Sequence, residues 1–202
     1  NFNIDAFNVK ALTSYSTAFI APSTYQLFSG SYGNLDLKPE SSGTFEFGIE
    51  ASDDKLFQLD AVYFNRSVDD AIIFVSLPVA PWTSSYENAN GNTKVSGIES
   101  NIVISPLETL KLQIGYTSIT KDSNADYIPK NKIVANVEVS PFSNAFVSLV
   151  YKNIGERTYY DQWGSFGAAG EDVVLPSYNL LDLTANYKLL DETVTFFGAV
   201  SN

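Results

Sequence analysis

The sequence predicts an all-β fold, an antiparallel up-and-down sheet of about nine strands, and three observations carry that expectation. Alternation of apolar and polar residues at period two recurs nine times along the 202 residues. No segment holds a convincing helical period. Tight turns and long polar loops take turns as connections, which puts short links on one edge of the sheet and long ones on the other.

In chain order, the first strand is expected over residues 9–19. A polar stretch follows, in which Gly33, Asn34, Lys38-Pro39-Glu40 and Ser41-Ser42-Gly43 are turn and loop residues. Pro39 keeps Lys38 out of the helical region. From Thr44 the grammar changes: Phe45, Phe47, Ile49 and Ala51 fall on one face of a second strand (43–51), and Thr44, Glu46, Gly48 and Glu50 on the other. The third strand covers 56–64 with a continuation towards Phe74. The fourth covers 85–104, with Ile98, Ile102 and Ile104 opposite Gly97, Glu99 and Asn101.

The fifth strand (110–119) sets Leu110, Leu112, Ile114 and Tyr116 against Lys111, Gln113, Gly115 and Thr117. The sixth opposes Ile133, Ala135, Val137 and Val139 to Asn136 and Glu138. In the seventh, Val147, Leu149 and Tyr151 oppose Ser148 and Lys152. The eighth is the cleanest, with Leu181, Leu183, Ala185, Tyr187 and Leu189 against Asp182, Thr184, Asn186 and Lys188. The ninth covers 193–200.

Period two alone does not say which face is wet, because a water-soluble sandwich and a membrane barrel share it. The links after the second, fourth, sixth and eighth strands are short, and the links from Ile20 to Ser42, Leu77 to Thr83, Lys121 to Asn131 and Gly155 to Ser177 are mostly longer. That edge asymmetry favours an up-and-down transmembrane barrel over a Greek-key sandwich. In a barrel the apolar faces touch lipid. Glu46, Glu50, Glu99, Asn101, Lys111, Gln113, Asn136, Glu138, Asp182, Asn186 and Lys188 then line the interior, where charge is cheap. Tyr116, Tyr127, Tyr151, Tyr178 and Tyr187, near strand ends, suit interfacial girdles.

Composition narrows the chemistry. Twelve Lys and Arg against 23 Asp and Glu give a formal charge of −11, with no basic cluster, which disfavours nucleic acid. Cysteine and histidine are both absent, which removes disulfides, thiolate nucleophiles, His-based triads and zinc-type ligand sets. No apolar run reaches the length of a membrane-crossing helix. No catalytic residue, metal site or cofactor is predicted.

The order Phe19-Ile20-Ala21-Pro22, then Asn34-Leu35-Asp36-Leu37-Lys38-Pro39-Glu40, then Phe45-Glu46-Phe47-Gly48-Ile49-Glu50 resembles the later barrel strands of TonB-dependent outer-membrane receptors. Tyr86-Glu87-Asn88 leading to Val95-Ser96-Gly97-Ile98-Glu99, the Ile128–Lys132 loop end, and Leu175 through Leu183 continue the resemblance, and Val200-Ser201-Asn202 looks like the start of a terminal signature. By this resemblance Pro22, Asn34, Lys38, Pro39, Glu40, Glu46, Gly48, Glu50, Gly97 and Glu99 are structural motif residues. It implies that 1–202 is a partial barrel domain, roughly the thirteenth to twenty-first of about 22 strands, with plug and remaining strands lying elsewhere. The implied function is uptake of a large scarce nutrient of the ferric-siderophore or cobalamin type. The implied partners are outer-membrane lipid, a small-molecule or metal-chelate substrate, and the TonB complex acting through the plug.

Candidate ligand contacts come from the long loops. Arg157, Tyr159, Tyr160 and Trp163 combine a planar cation with flat rings, and Tyr25 and Trp82 share that character. An interfacial aromatic cluster is the competing reading. Glu46 and Glu50 lie four residues apart on a strand, ~13 Å at about 3.3 Å per residue, too far for paired-carboxylate catalysis. Asp122-Ser123-Asn124-Ala125-Asp126 has alternating oxygen donors but lacks the glycine and glutamate of a calcium loop. A soluble glycan-binding sandwich and a passive porin remain the alternatives.

Overall fold

The computed structural model describes residues 2–4, 7–53, 55–76, 83–121, 128–161, 164–165, 167–168, 170–190 and 193–202. Its elements are β1 (Phe2–Ile4), β2 (Phe7–Ile20), α1 (Thr24–Phe28), β3 (Glu40–Ser52), β4 (Phe57–Asp69), β5 (Ile72–Ser76), β6 (Ser84–Asn88), β7 (Asn92–Leu107), β8 (Leu110–Lys121), β9 (Asn131–Phe142), β10 (Ala145–Ile154), β11 (Arg157–Asp161), β12 (Glu171–Leu175), β13 (Tyr178–Leu189) and β14 (Val194–Ser201). One antiparallel sheet runs β1-β2-β3-β4-β7-β8-β9-β10-β13-β14. The nine long strands are those expected, and the three-residue β1 is added at one edge. The two remaining hairpins, β5-β6 and β11-β12, rise from the long-loop edge.

The register shows why the two faces differ. A single row across eight strands reads Val9, Ala51, Leu59, Ile102, Ile114, Ala135, Tyr151, Leu181. The adjacent row on the opposite face begins Lys10, Glu50, Asp60, Asn101 and passes through Gly115 and Val134 to Lys152. Polar side chains on that face satisfy one another. Glu50 pairs with Lys10 at 3.1 Å, Glu46 accepts from the Ser14 hydroxyl at 2.9 Å, and Lys152 meets Asp182 at 2.9 Å. Gln113 donates to Asn101 and Ser148 to Asn136.

The apolar face has no second layer over it. Among the described residues Leu37 is the one hydrophobic side chain that is buried, while Ile114 is 52% exposed, Leu181 49% and Ile98 48%. A soluble sandwich hides such a face against another sheet. Here it stays open as a continuous apolar surface that lipid covers in a barrel wall. From Leu181 to Leu189 the outward residues of β13 are all apolar, ~27 Å along the strand at about 3.3 Å per residue. With a strand tilt of about 40° that matches an apolar band of roughly 20–25 Å.

Three features depart from the alternation pattern. A five-residue helix, α1, forms where none is expected; Ser23 caps it and Gln26 closes the capping box. One turn is too short to display a helical period. The third strand ends at Asp69 rather than running on to Phe74, and the fourth is split into β6 and β7. Between the pairs Asp69–Asn92 and Ile72–Asn88, one side carries two residues and the other three. The mismatch is a bulge. Asp70 takes φ 54° and Gly91 φ 94° to make it, and Ala89 N donates to Ala71 O at 2.7 Å.

The short-turn edge is closed by side chains as well as backbone. Asp53 accepts at one carboxylate oxygen from the amides of Lys55, Leu56 and Phe57, at 3.1, 2.5 and 2.7 Å. The Leu56 and Phe57 amides, ahead of Lys55, hold its pKa below the ordinary 3.8. A depressed carboxylate pKa makes the turn's contribution complete above the ordinary value and removes it as the pH falls through the lower folded one. Protection of the Leu56 and Phe57 amides, taken relative to their intrinsic exchange rates, is therefore expected to fall below pH ~4 in the parent, and not to change across that range in Asp53→Asn, which keeps an acceptor oxygen but no titration.

Candidate functional site at the loop edge

The loop that carries Asn34, Lys38, Pro39 and Glu40 is a latch on the β5-β6 hairpin. Tyr86 N donates to Tyr32 O at 3.1 Å, and the Asn34 side chain donates back to Tyr86 O at 2.9 Å. The Asn88 side chain binds the Lys38 backbone in both senses, accepting from its N–H at 2.8 Å and donating to its C=O at 2.9 Å. The same Asn88 amide donates to Asp70 O at 2.7 Å, steadying the positive-φ residue of the bulge. Glu40 closes the set by accepting from Ile72 N at 2.9 Å. Leu37 is buried within the same loop. Pro22 precedes the N-cap of α1, and Pro39 precedes the first residue of β3.

Above the latch the rings of four residues from three segments meet. Tyr32 stands edge-on to Phe74 with centroids 5.5 Å apart, Phe74 lies 5.0 Å from Tyr86, and Tyr86 is 6.2 Å from Tyr25 in a T-shaped contact. Tyr25, singled out from the sequence, thus belongs to this cluster. Tyr32, Phe74 and Tyr86 were not among the candidate ligand contacts, because only the pairing of β5 with β6 and the latch brings them together with Tyr25.

The segment with Arg157, Tyr159 and Tyr160 forms β11 and pairs with β12. The Arg157 guanidinium sits 5.5 Å from the centre of the Tyr178 ring, a cation–π contact at the top of β13. Tyr160 is 47% exposed and Tyr159 half-buried. At the base of this hairpin Lys130 and Glu156 pair at 2.7 Å. Trp82, Trp163, Tyr127 and the Asp122–Asp126 stretch lie outside the described residues.

Asp161 is the residue in this hairpin that sequence reasoning passed over. It is fully buried, and its two carboxylate oxygens accept from Ser165 N at 2.8 Å and Gly167 N at 3.0 Å. Its backbone oxygen accepts from Gly170 N at 2.8 Å. It therefore shapes the turn from within instead of facing a ligand. Asp161→Ala removes the charged acceptor of two amides and is expected to cost about 2–4 kcal/mol of local stability, read as faster exchange at Ser165 and Gly167.

On the polar face an open depression of about 350 Å³ lies over Gly115, lined by Asp60, Glu99, Asn101, Thr117 and Lys132. Gly97 sits against the Phe64 ring and the Ser118 carbonyl so closely that a Cβ would collide with both. Gly48 is likewise buried, beside Val62. Close approach thus explains Gly97, whereas a Cβ at Gly48 would meet Val62 and the Ala61 carbonyl only at ordinary contact distance. Among the described residues no group of His, Cys, Asp or Glu is arranged to hold a metal ion.

A single sheet with a bare apolar face, a hydrogen-bonded polar face, short turns on one edge and structured loops on the other defines a transmembrane β-barrel wall. The model of the family described as TonB dependent receptor-like, beta-barrel, matches residues 4–202. The chain belongs to that family, whose barrels lie in the outer membrane of Gram-negative bacteria.

Similar curated proteins include a vitamin B12 transporter of Vibrio cholerae, 27% identical over 201 residues, covering 94% of this chain and 30% of the relative. An iron-regulated outer membrane virulence protein of the same species is 24% identical and covers 85% of this chain and 28% of its own length. Among solved structures, the ferric enterobactin receptor of Pseudomonas aeruginosa superposes with a TM-score of 0.76 over the whole chain and 34% of the receptor, at 19% identity. That likeness establishes the fold. The chain spans about a third or less of the length of each.

Proposed function

We propose that residues 1–202 are part of the barrel of an outer-membrane active transporter for a large scarce nutrient, of the ferric-siderophore or cobalamin type. On this reading energy comes from the TonB complex acting on a plug encoded outside these residues, and the segment supplies lipid-facing wall and ligand-facing loops. No catalytic step is assigned to it. The observation that carries the reading is the pairing of the apolar outer row with a latched loop edge, in a chain similar over 94% of its length to vitamin B12 transporters.

The test is uptake by a Gram-negative host that lacks its own receptors and expresses the full-length protein. Accumulation of labelled cyanocobalamin or of a ferric siderophore that disappears when TonB is deleted supports the reading. Accumulation that persists unchanged without TonB contradicts it and indicates a passive pore.

A further inference from the structure

We propose that Asn90 is a modification site: it converts spontaneously to isoaspartate through attack by the Gly91 amide, and the conversion opens the latch on the β5-β6 hairpin. Of all the asparagines in the chain, Asn90 alone is followed by glycine. A side chain at the following residue crowds the approach of its backbone nitrogen to the preceding carboxamide, and glycine has none. Gly91 keeps that approach open, since nothing lies within 4 Å of where a Cβ would stand and its φ is 94°.

The surroundings leave this one carboxamide free. Asn88 is held by hydrogen bonds to Lys38 N, Lys38 O and Asp70 O, and Asn92 donates to Ser67 and Asp69. Asn90 between them is exposed. Among the described residues neither its side chain nor the Gly91 amide has a hydrogen-bond partner. Both residues lie on the longer side of the bulge, outside the paired registers of β4-β7 and β5-β6, so the rotation that the reaction needs breaks no ladder pair.

The reaction balances without a cofactor. The Gly91 nitrogen gives its proton to water and attacks the Asn90 side-chain carbonyl carbon. A new C–N bond forms, the old one breaks, and the side-chain nitrogen leaves as ammonia. Water then opens the cyclic imide at either carbonyl, giving isoaspartate or aspartate; one water is consumed, one ammonia is released and no electron is transferred. Either product places a carboxylate opposite the Asp69-Asp70 side of the bulge, where like charges repel. Isoaspartate also routes the main chain through the side-chain carbon and adds a backbone atom two residues from Asn88. The Asn88 amide must meet Lys38 N, Lys38 O and Asp70 O together, and such a shift takes it out of reach. Neither step depends on what the receptor carries.

The experiment ages the full-length receptor in detergent at mildly alkaline pH and physiological temperature. Peptide mapping by mass spectrometry follows, with electron-transfer fragmentation to tell isoaspartate from aspartate. Asn90 is expected to convert at least about tenfold faster than Asn88 or Asn92, with isoaspartate in excess and a rate that rises with pH. In the converted fraction the Tyr86 and Ile72 amides are expected to exchange at least about tenfold faster than in fresh protein. Asn90→Gln, whose longer side chain closes an imide far more slowly, is expected to age with both amides still protected. Asn90→Asp supplies the charge without the added backbone atom and falls between.

An Asn90 that stays intact, or that converts no faster than Asn88 or Asn92, overturns the site. Conversion with unchanged exchange at Tyr86 overturns its coupling to the latch, and so does an equal loss of protection in aged Asn90→Gln.

Discussion

Replacing Ile114 by arginine in the full-length receptor is expected to lower barrel stability by about 2–4 kcal/mol, while arginine at Gln113, one residue away, changes it little. Ile114 lies mid-strand in β8, 52% exposed on the apolar face between Ile102 and Ala135. No partner on that face can accept a guanidinium, and lipid cannot solvate it. Gln113 points the other way, donating to Asn101 across the polar face at 2.9 Å. Denaturant titration in liposomes reads both variants. Equal costs at the two positions contradict a water-free environment on the Ile114 side of β8.

Asn88→Ala is the second large effect, and it falls on a loop rather than the wall. The substitution removes one acceptor and two donor contacts, to Lys38 N, Lys38 O and Asp70 O. At about 0.5–1.5 kcal/mol for each of the three neutral hydrogen bonds the loss is about 1.5–4.5 kcal/mol. It is confined to the opening of the latch, because the sheet below does not depend on it. Amides of Tyr86 and Ile72, which bond to Tyr32 O and Glu40, are expected to exchange at least about tenfold faster, with the barrel still folded. Asn88→Asp, which keeps the acceptor and loses the donors, falls between. Unchanged exchange at Tyr86 shows that the two loops are held together by something other than Asn88.

The wall was legible in the sequence because each of its residues reports its own side of the sheet. In β13 the alternation from Leu181 to Leu189 assigns both faces without reference to any other strand, and the register then stacks it beside Leu149 and Val147 as expected. Glu46 and Glu50 were legible as polar-face charges for the same reason. The loop edge was not legible, because its order comes from contacts between distant residues. Asn88 and Lys38 are 50 residues apart, and nothing local to either names the other. Alternation lapses after Phe64, before the bulge at Asp70 and Gly91, so nothing local marks where one strand stops and the next begins between Leu56 and Phe74. Helix α1 left one usable signal, Ser23 followed by Gln26, at capping-box spacing after Pro22. Tyr25 was named as a candidate from its place in a long loop, but the three rings that meet it come into view only once β5 and β6 are paired.

The central claim is that the apolar face of this sheet meets lipid and the polar face does not. The chain contains no cysteine, so single cysteines placed in turn from Leu181 to Leu189 of the full-length receptor, with any elsewhere replaced, report each position cleanly. In bilayers, spin labels at Leu181, Leu183, Ala185, Tyr187 and Leu189 are predicted to be reached by dissolved oxygen and not by a water-soluble nickel chelate, with the four intervening positions shielded from oxygen. Loss of that alternation, or apolar positions closed to both reagents as in a packed sandwich, contradicts the assignment of this chain to a membrane barrel wall.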